Sequence, residues 1–344
     1  MPSELPLVDL RALYGPTRSR GHDTAASMAA IAAEVDRACR RFGFFRITGH
    51  GIDPRRLAAL DREARAFFAL PDTVKASIAM TQGGTAWRGW FPLGGELTAG
   101  RPDHKEGLYF GTELASDHPA VAAGRPLHGP NLFPDEPAGL RAAVLDWMTA
   151  MTELGATLLR LTAMGLGLGP SWFKANVTAE PTVLFRIFRY PPAPEREWGV
   201  GEHTDYGLLT ILAQDGQGGL EVLGPDGWLS VPADPDVLVV NLGDMLDRMT
   251  EGRYRSTPHR VRNTGDGDRL AFPCFIDPSW DARCPPMPLD GTPPADDAAH
   301  RWDGTSVRAW NGTYGEYLTA KVTQVFPDLA GGITGAAPRS VRGV

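Results

Sequence analysis

The residues of this chain best suited to chemistry are His203 and Asp205, one threonine apart at the head of the apolar run Leu208-Leu209-Thr210-Ile211-Leu212. Side chains of a strand alternate between its faces, so residues two apart share one. An imidazole and a carboxylate placed that way can reach a single cation. His259 follows after three more strand-like runs, an interval that suits a β-roll returning to the same mouth. Two imidazoles and one carboxylate on one face of an octahedral ion leave three adjacent positions open, the arrangement of non-haem Fe(II) oxygenases. His-x-Asp is also a common chance pattern, and either histidine alone can equally be a surface residue or a hydrogen-bonded core residue. Arg269 opens the run Leu270-Ala271-Phe272. A guanidinium fork matches a carboxylate bidentately, which suits the far end of a dicarboxylate whose near end chelates a metal. A solvent-facing strand end is the competing reading.

These residues need a scaffold, and the second half of the chain supplies one. From Thr182 onward short apolar runs (VLFRIFRY, LLTILAQ, GLEVL, WLSV, DVLVVNLG, RLAFPCFI) alternate with turn segments such as DGQGG, GPDG and NTGDGD. That spacing predicts antiparallel sheets in a sandwich or jelly roll. The first half reads differently. A short strand over Leu5–Leu10 precedes helical patterns at Ala25–Phe42 and Pro54–Leu70, with a β-rich segment between them at Gly43–Gly49. Thr81–Gly100 follows neither period and is expected to be a long loop or irregular hairpin. Leu140, Val144, Trp147, Met151, Leu154, Leu158 and Leu161 recur at three- and four-residue steps, so Pro137–Leu168 reads as the main helix; Thr313–Val325 is a last helical pattern. With 40 glycines and 30 prolines among 344 residues the fold should be rich in turns. No internal repeat or linker is visible, so residues 1–180, helical and loop-rich, are expected to pack on a β core at 181–344 as one enzyme unit.

Charge narrows the partners. The chain has 34 basic and 41 acidic residues, a net −7, and no basic stripe, which argues against nucleic acid. Its longest charge-free stretch, Leu161–Phe173, is broken by glycines and a proline and is too short to cross a bilayer. The N-terminus MPSELPLVDLRALYG does not read as a secretory signal, so a cytoplasmic location is expected. Cys39, Cys274 and Cys284 cannot all pair and form no CxxC motif, so they are expected to be reduced, buried thiols. Nothing in the sequence specifies an oligomeric state.

Taken as longer stretches, HTDYGLLTILAQDGQGGLEVL, NLGDMLDRMTEGRYRSTPHRV, DRLAFPCFIDPSWDA and GTYGEYLTAKVTQVFPDL closely resemble the isopenicillin N synthase-like branch of the iron- and 2-oxoglutarate-dependent dioxygenases. LPLVDL, FGFFRITGHGI and PRRLAALDREARAFFALP are similar to that family's N-terminal region, so the likeness covers nearly the whole chain. It implies a mainly β fold, a distorted double-stranded β-helix with flanking helices. It further implies Fe(II) held by His203, Asp205 and His259, with 2-oxoglutarate and dioxygen as cosubstrates and Arg269 and Tyr190 at the distal carboxylate. Two positions depart from the family: its Arg-x-Ser is Arg269-Leu270-Ala271, and the asparagine common two before the tyrosine is Phe188. The missing hydroxyl keeps open a 2-oxoglutarate-independent iron oxidase. A non-catalytic metal-binding roll is a third reading, though it would have no use for Arg269 and Tyr190 together. The expected substrate is a small, partly apolar molecule, a specialised metabolite, with hydroxylation as the default and desaturation or ring closure as variants. Candidate contacts are Phe275, Trp87, Arg88, Tyr109 and Arg186, with Trp90 and Phe91 in the same N-terminal loops. Asp103-His104-Lys105-Glu106 reads as a solvated or structural charge cluster.

Overall fold

The short apolar runs build strands, and their order explains why so many are buried on both faces. A computed structural model describes residues 4–14, 22–98, 100–192, 198–296, 298–301 and 304–326. In chain order the strands are β1 (Leu7–Asp9), β2 (Phe44–Thr48), β3 (Gly89–Phe91), β4 (Leu97–Thr98), β5 (Arg101–Pro102), β6 (Glu106–Gly111), β7 (Pro181–Tyr190), β8 (Val200–His203), β9 (Leu209–Gln214), β10 (Leu220–Gly224), β11 (Gly227–Ser230), β12 (Leu238–Leu242), β13 (His259–Val261) and β14 (Arg269–Ser279). The major sheet runs β1-β2-β12-β9-β14-β7-β6-β3 and the minor sheet β11-β10-β13-β8, with β4 and β5 forming a separate hairpin. Both sheets line one central cavity, and together they make a double-stranded β-helix.

Helices cover the outside. The helix Leu140–Gly165 buries Leu140, Val144, Trp147, Met151, Leu154, Leu158 and Leu161, the stripe expected from their spacing. It lies so close to β14 that a Cβ on Gly155 would stand 2.6 Å from Ile276 Cγ1, so only glycine fits there. Helices His22–Phe42 and Pro54–Phe68 pack against it. The last helix, Tyr314–Val325, starts with a capping box in which Thr313 and Glu316 satisfy each other's main-chain N–H groups. Residues 327–344, including the end of the VTQVFPDL stretch, lie outside the described residues. Among the described residues no helix is long and apolar enough to cross a membrane. All three cysteines are buried and unpaired.

The first half holds the two strands expected of it, β1 and β2, and adds to the major sheet two not expected of it, β3 and β6. It is woven into the major sheet rather than laid upon it: β1 and β2 extend one edge, β6 and β3 the other. Thr81–Gly100 is more regular than its lack of periodicity suggests, holding part of a 3₁₀ helix at Met80–Ala86, the edge strand β3 and β4 of the small hairpin. All three residues of β3 are buried, so no polar alternation marks it as a strand. Arg269 is no solvent-facing strand end either; it is fully buried.

Candidate active site

β8 and β13 are antiparallel neighbours with His203 and His259 in direct register, so their rings stand side by side with centroids 4.2 Å apart. Asp205 follows the end of β8. One ligand atom from each of the three residues lies within 4.8 Å of the other two, and His203 Nε2 and His259 Nε2 are 4.0 and 3.9 Å from Asp205 Oδ1. Every other polar atom of the trio is engaged. His203 Nδ1 meets Gly201 O at 2.8 Å and His259 Nδ1 meets Thr257 O at 3.2 Å, which fixes the proton on Nδ1 and leaves the Nε2 lone pairs facing inward. Thr210 Oγ1 and Asn241 Nδ2 both donate to Asp205 Oδ2, at 2.5 and 2.7 Å, which leaves Oδ1 for the centre of the group. Phe44 packs edge-on against His259 at 5.2 Å and dries that side.

The electrostatics suit a cation. Burial, reinforced by His203, pushes the His259 imidazole down to about 4, and burial likewise lowers His203. Burial alone would raise the Asp205 carboxyl, but the two imidazoles and its two hydrogen-bond donors outweigh it and hold the group below its ordinary value. At neutral pH the trio therefore presents two neutral nitrogens and one anionic oxygen, the state a divalent metal requires.

A cavity of about 640 Å³ extends from this trio along the inner face of the major sheet. At one end Arg269, opposite Tyr190 in the β14–β7 register, is fully buried with its Cζ 5.0 Å from the tyrosine ring. Arg269 Nη2 donates to Gln214 Oε1 at 3.1 Å, while Nε and Nη1 have no acceptor among the described residues. Gln214 is itself buried, stands in register with Ala271, and its Nε2 also lacks a partner. Unpaired buried donors at one spot are costly unless an acceptor arrives, so this end is built for an anion. Gln214 escaped the sequence reading because a lone glutamine near a strand end carries no pattern; the absence of Ser at 271 was the one available pointer.

Of the residues singled out as substrate contacts, Tyr109, Arg186 and Phe275 line the cavity, whereas Trp87 and Arg88 do not. Trp87 is core, packed edge-on against Phe326 at 5.8 Å, and Arg88 borders a different cavity. Trp90 is buried and donates from Nε1 to Glu106, and Phe91 lies in an aromatic cluster with Tyr109 and Phe326. The Asp103–Glu106 segment is largely interior: Asp103, Lys105 and Glu106 are buried. Lys105 Nζ pairs with Glu96 at 2.8 Å and Asp103 at 2.7 Å, and Tyr109 donates to Glu96. Arg186 lies 3.5 Å over the Tyr109 ring and spends Nη1 on the carbonyls of Phe110 and Phe185. Asp277, also on the wall, accepts from Tyr314, and burial raises its carboxyl to about 7.

Comparison with known proteins agrees with this geometry. The family model described as "non-haem dioxygenase in morphine synthesis N-terminal" matches residues 5–136, and that of the 2OG-Fe(II) oxygenase superfamily matches residues 181–278. A Dictyostelium discoideum protein named "Probable iron/ascorbate oxidoreductase" is 42% identical, with 95% of this chain and 96% of that one aligned. The 2-oxoglutarate-dependent dioxygenase caaD of Aspergillus niger is 36% identical over 83% of this chain and 88% of its own. Among solved structures, a 2OG-Fe(II) oxygenase family protein of Caulobacter crescentus superposes with a TM-score of 0.74 at 27% identity, covering 93% of this chain and 98% of that one. The chain therefore belongs to the iron(II)- and 2-oxoglutarate-dependent dioxygenases, enzymes that use ferrous iron, 2-oxoglutarate and dioxygen to oxidise small molecules.

Proposed function

We propose that His203 Nε2, His259 Nε2 and Asp205 Oδ1 hold the ferrous ion, that Arg269 with Tyr190 and Gln214 holds the distal carboxylate of 2-oxoglutarate, and that the enzyme hydroxylates a small, partly apolar specialised metabolite in the cytoplasm. One observation carries this reading. With their internal hydrogen bonds made, the His203, Asp205 and His259 trio keeps a set of metal donors at one place, and Arg269 with Gln214 keeps a set of unpaired carboxylate donors at another. Iron and 2-oxoglutarate, when bound, supply the activation of dioxygen, with 2-oxoglutarate leaving as succinate and carbon dioxide.

The chain's own residues do the positioning. Thr210 and Asn241 keep Asp205 to a single inward oxygen, and the carbonyls of Gly201 and Thr257 keep both imidazoles in the metal-binding tautomer. Arg269 and Gln214 draw the carboxylate into a dry pocket, and Gln214 Nε2 stands where it can replace the hydroxyl that Ala271 lacks. Tyr109, Arg186 and Phe275 form the wall against which the substrate lies, with Arg186 placing positive charge beside an aromatic surface and so favouring a π-rich or anionic molecule. Cysteines left buried and unpaired accord with a reducing compartment. Ala271 favours the 2-oxoglutarate-independent oxidase as a second reading; the unpartnered Gln214 amide weighs against it.

Anaerobic reconstitution should give about one iron per chain, and 2-oxoglutarate added to that enzyme should produce a visible charge-transfer band, with succinate formed on admitting oxygen. A band with His203→Ala/Asp205→Ala, or full iron retention in that variant, removes the metal assignment. No band and no succinate from the parent favours the oxidase. Small molecules should stimulate succinate release and gain one oxygen atom; stimulation by a polypeptide or oligonucleotide alone would refute the substrate class.

A further inference from the structure

A second cavity of about 340 Å³ lies at the Pro181 end of β7, beside Ser279. Along β7 and β14 the register pairs Tyr190 with Arg269, Phe188 with Ala271, Leu184 with Phe275 and Thr182 with Asp277, and after a shift Pro181 with Ser279. Leu184 lines both cavities, while Thr182 and Ser279 line only the second.

Arg88 there repeats the circumstances of Arg269. It is 1% exposed, its Nη2 donates to Leu127 O at 2.8 Å, and its Nε and Nη1 have no acceptor among the described residues. Its guanidinium rests on Gly111, where a Cβ would come within 2.4 Å of Nη1, so the glycine is what admits it. The nearby carboxylate, Glu113, is occupied by Asn131 and Arg141. Burial, followed by the charge of Arg186, lowers the Arg88 guanidinium to about 9, and His128 on the same wall is lowered by burial and by Arg125, Arg88 and His118 around it. Arg88 and Arg125 thus bring positive charge to this cavity, and Glu113, which offsets part of it at Arg88, is already engaged by Asn131 and Arg141. Two acids stand at its rim, the exposed Glu180 and Asp281, the latter 3.1 Å from Arg125. They disfavour a dianion and leave room for a single negative charge.

We propose that this cavity is a second anion site, separate from the iron centre, which takes a small monocarboxylate on Arg88, with Arg125, His118 and His128 around it. A buried guanidinium with unmade hydrogen bonds and a cavity beside it is the arrangement the iron end uses for its own carboxylate.

The test titrates acetate into anaerobic enzyme loaded with Fe(II) and 2-oxoglutarate, at constant ionic strength against chloride, following the melting temperature and acetate line broadening. Acetate should raise the melting temperature saturably. Arg88→Met should weaken acetate at least about tenfold and Arg125→Ala about threefold, while Arg269→Leu retains the effect. No saturable effect beyond that of chloride overturns the proposal, as does loss in Arg269→Leu with retention in Arg88→Met, which would put acetate at the catalytic end. Inorganic phosphate binding more tightly than acetate overturns the monocarboxylate assignment. Should Arg88→Met fail to fold, Arg125→Ala and Ser279→Val carry the test, and unchanged acetate affinity in both refutes the site.

Discussion

The reactive part of the main cavity and its β6–β7 wall handle charge in opposite ways. Around His203, Asp205, His259 and Arg269, internal hydrogen bonds consume some atoms of each side chain and leave others bare. Along the β6–β7 wall Lys105 is clasped by Glu96 and Asp103, Glu96 takes the Tyr109 hydroxyl, and Arg186 is spent partly on main-chain carbonyls. The first region is incomplete without ligands. The second is complete by itself, so it offers a substrate a fixed shape more than a set of unmet bonds. On the proposed reading, metal and cosubstrate are bound by charge, and discrimination between substrates is expected to rest on contour and on a few oriented dipoles.

The contrast can be broken by removing the charge that completes the wall. Lys105→Met leaves Glu96 and Asp103 buried without a cation and should destabilise the fold by about 3–5 kcal/mol, measurable by urea unfolding. Stability little changed would show that the wall is not self-neutralised. Asp277 gives a pH-dependent version. Its folded pKa, about 7, lies above the unfolded value, so the wild type is penalised progressively as pH rises from about 4 to 7. Asp277→Asn should gain stability relative to wild type over that window, by on the order of 4 kcal/mol at its upper end; a constant difference between the two proteins would contradict the shift. In the ligand-hungry region, Arg269→Leu should weaken 2-oxoglutarate by about 10- to 100-fold, read from the charge-transfer titration, with iron content unchanged. Gln214→Leu should give the smallest effect, about 2- to 10-fold weaker 2-oxoglutarate. No change in that variant would leave the departure at Ala271 without compensation.

The same difference explains what could be read from the chain. His203-Thr204-Asp205 and His259 are legible because strand alternation and a returning roll suffice to bring them together, and Arg269 because a charge opening an apolar run stands out. The β6–β7 wall is not legible in this way. Asp103, Lys105 and Glu106 look like surface charges, since only the fold shows that Glu96, from across a turn, closes over Lys105. Trp87 and Arg88 look like a binding loop because they sit in a glycine-rich segment; Trp87 is instead drawn into the core by an aromatic residue near the far end of the chain. Strands β1, β2, β3 and β6 join the major sheet at its edges through long-range pairing that local periodicity does not encode.

Phe326 has one further consequence. Its ring packs edge-on against Trp87, Phe91 and Tyr109, and Leu318 and Val322 of the preceding helix line the main cavity. During synthesis those three aromatics emerge more than two hundred residues before their cover. Until the final helix docks these aromatics lack their cover, and a chain cut short ahead of Tyr314 should expose them as a nucleus for self-association.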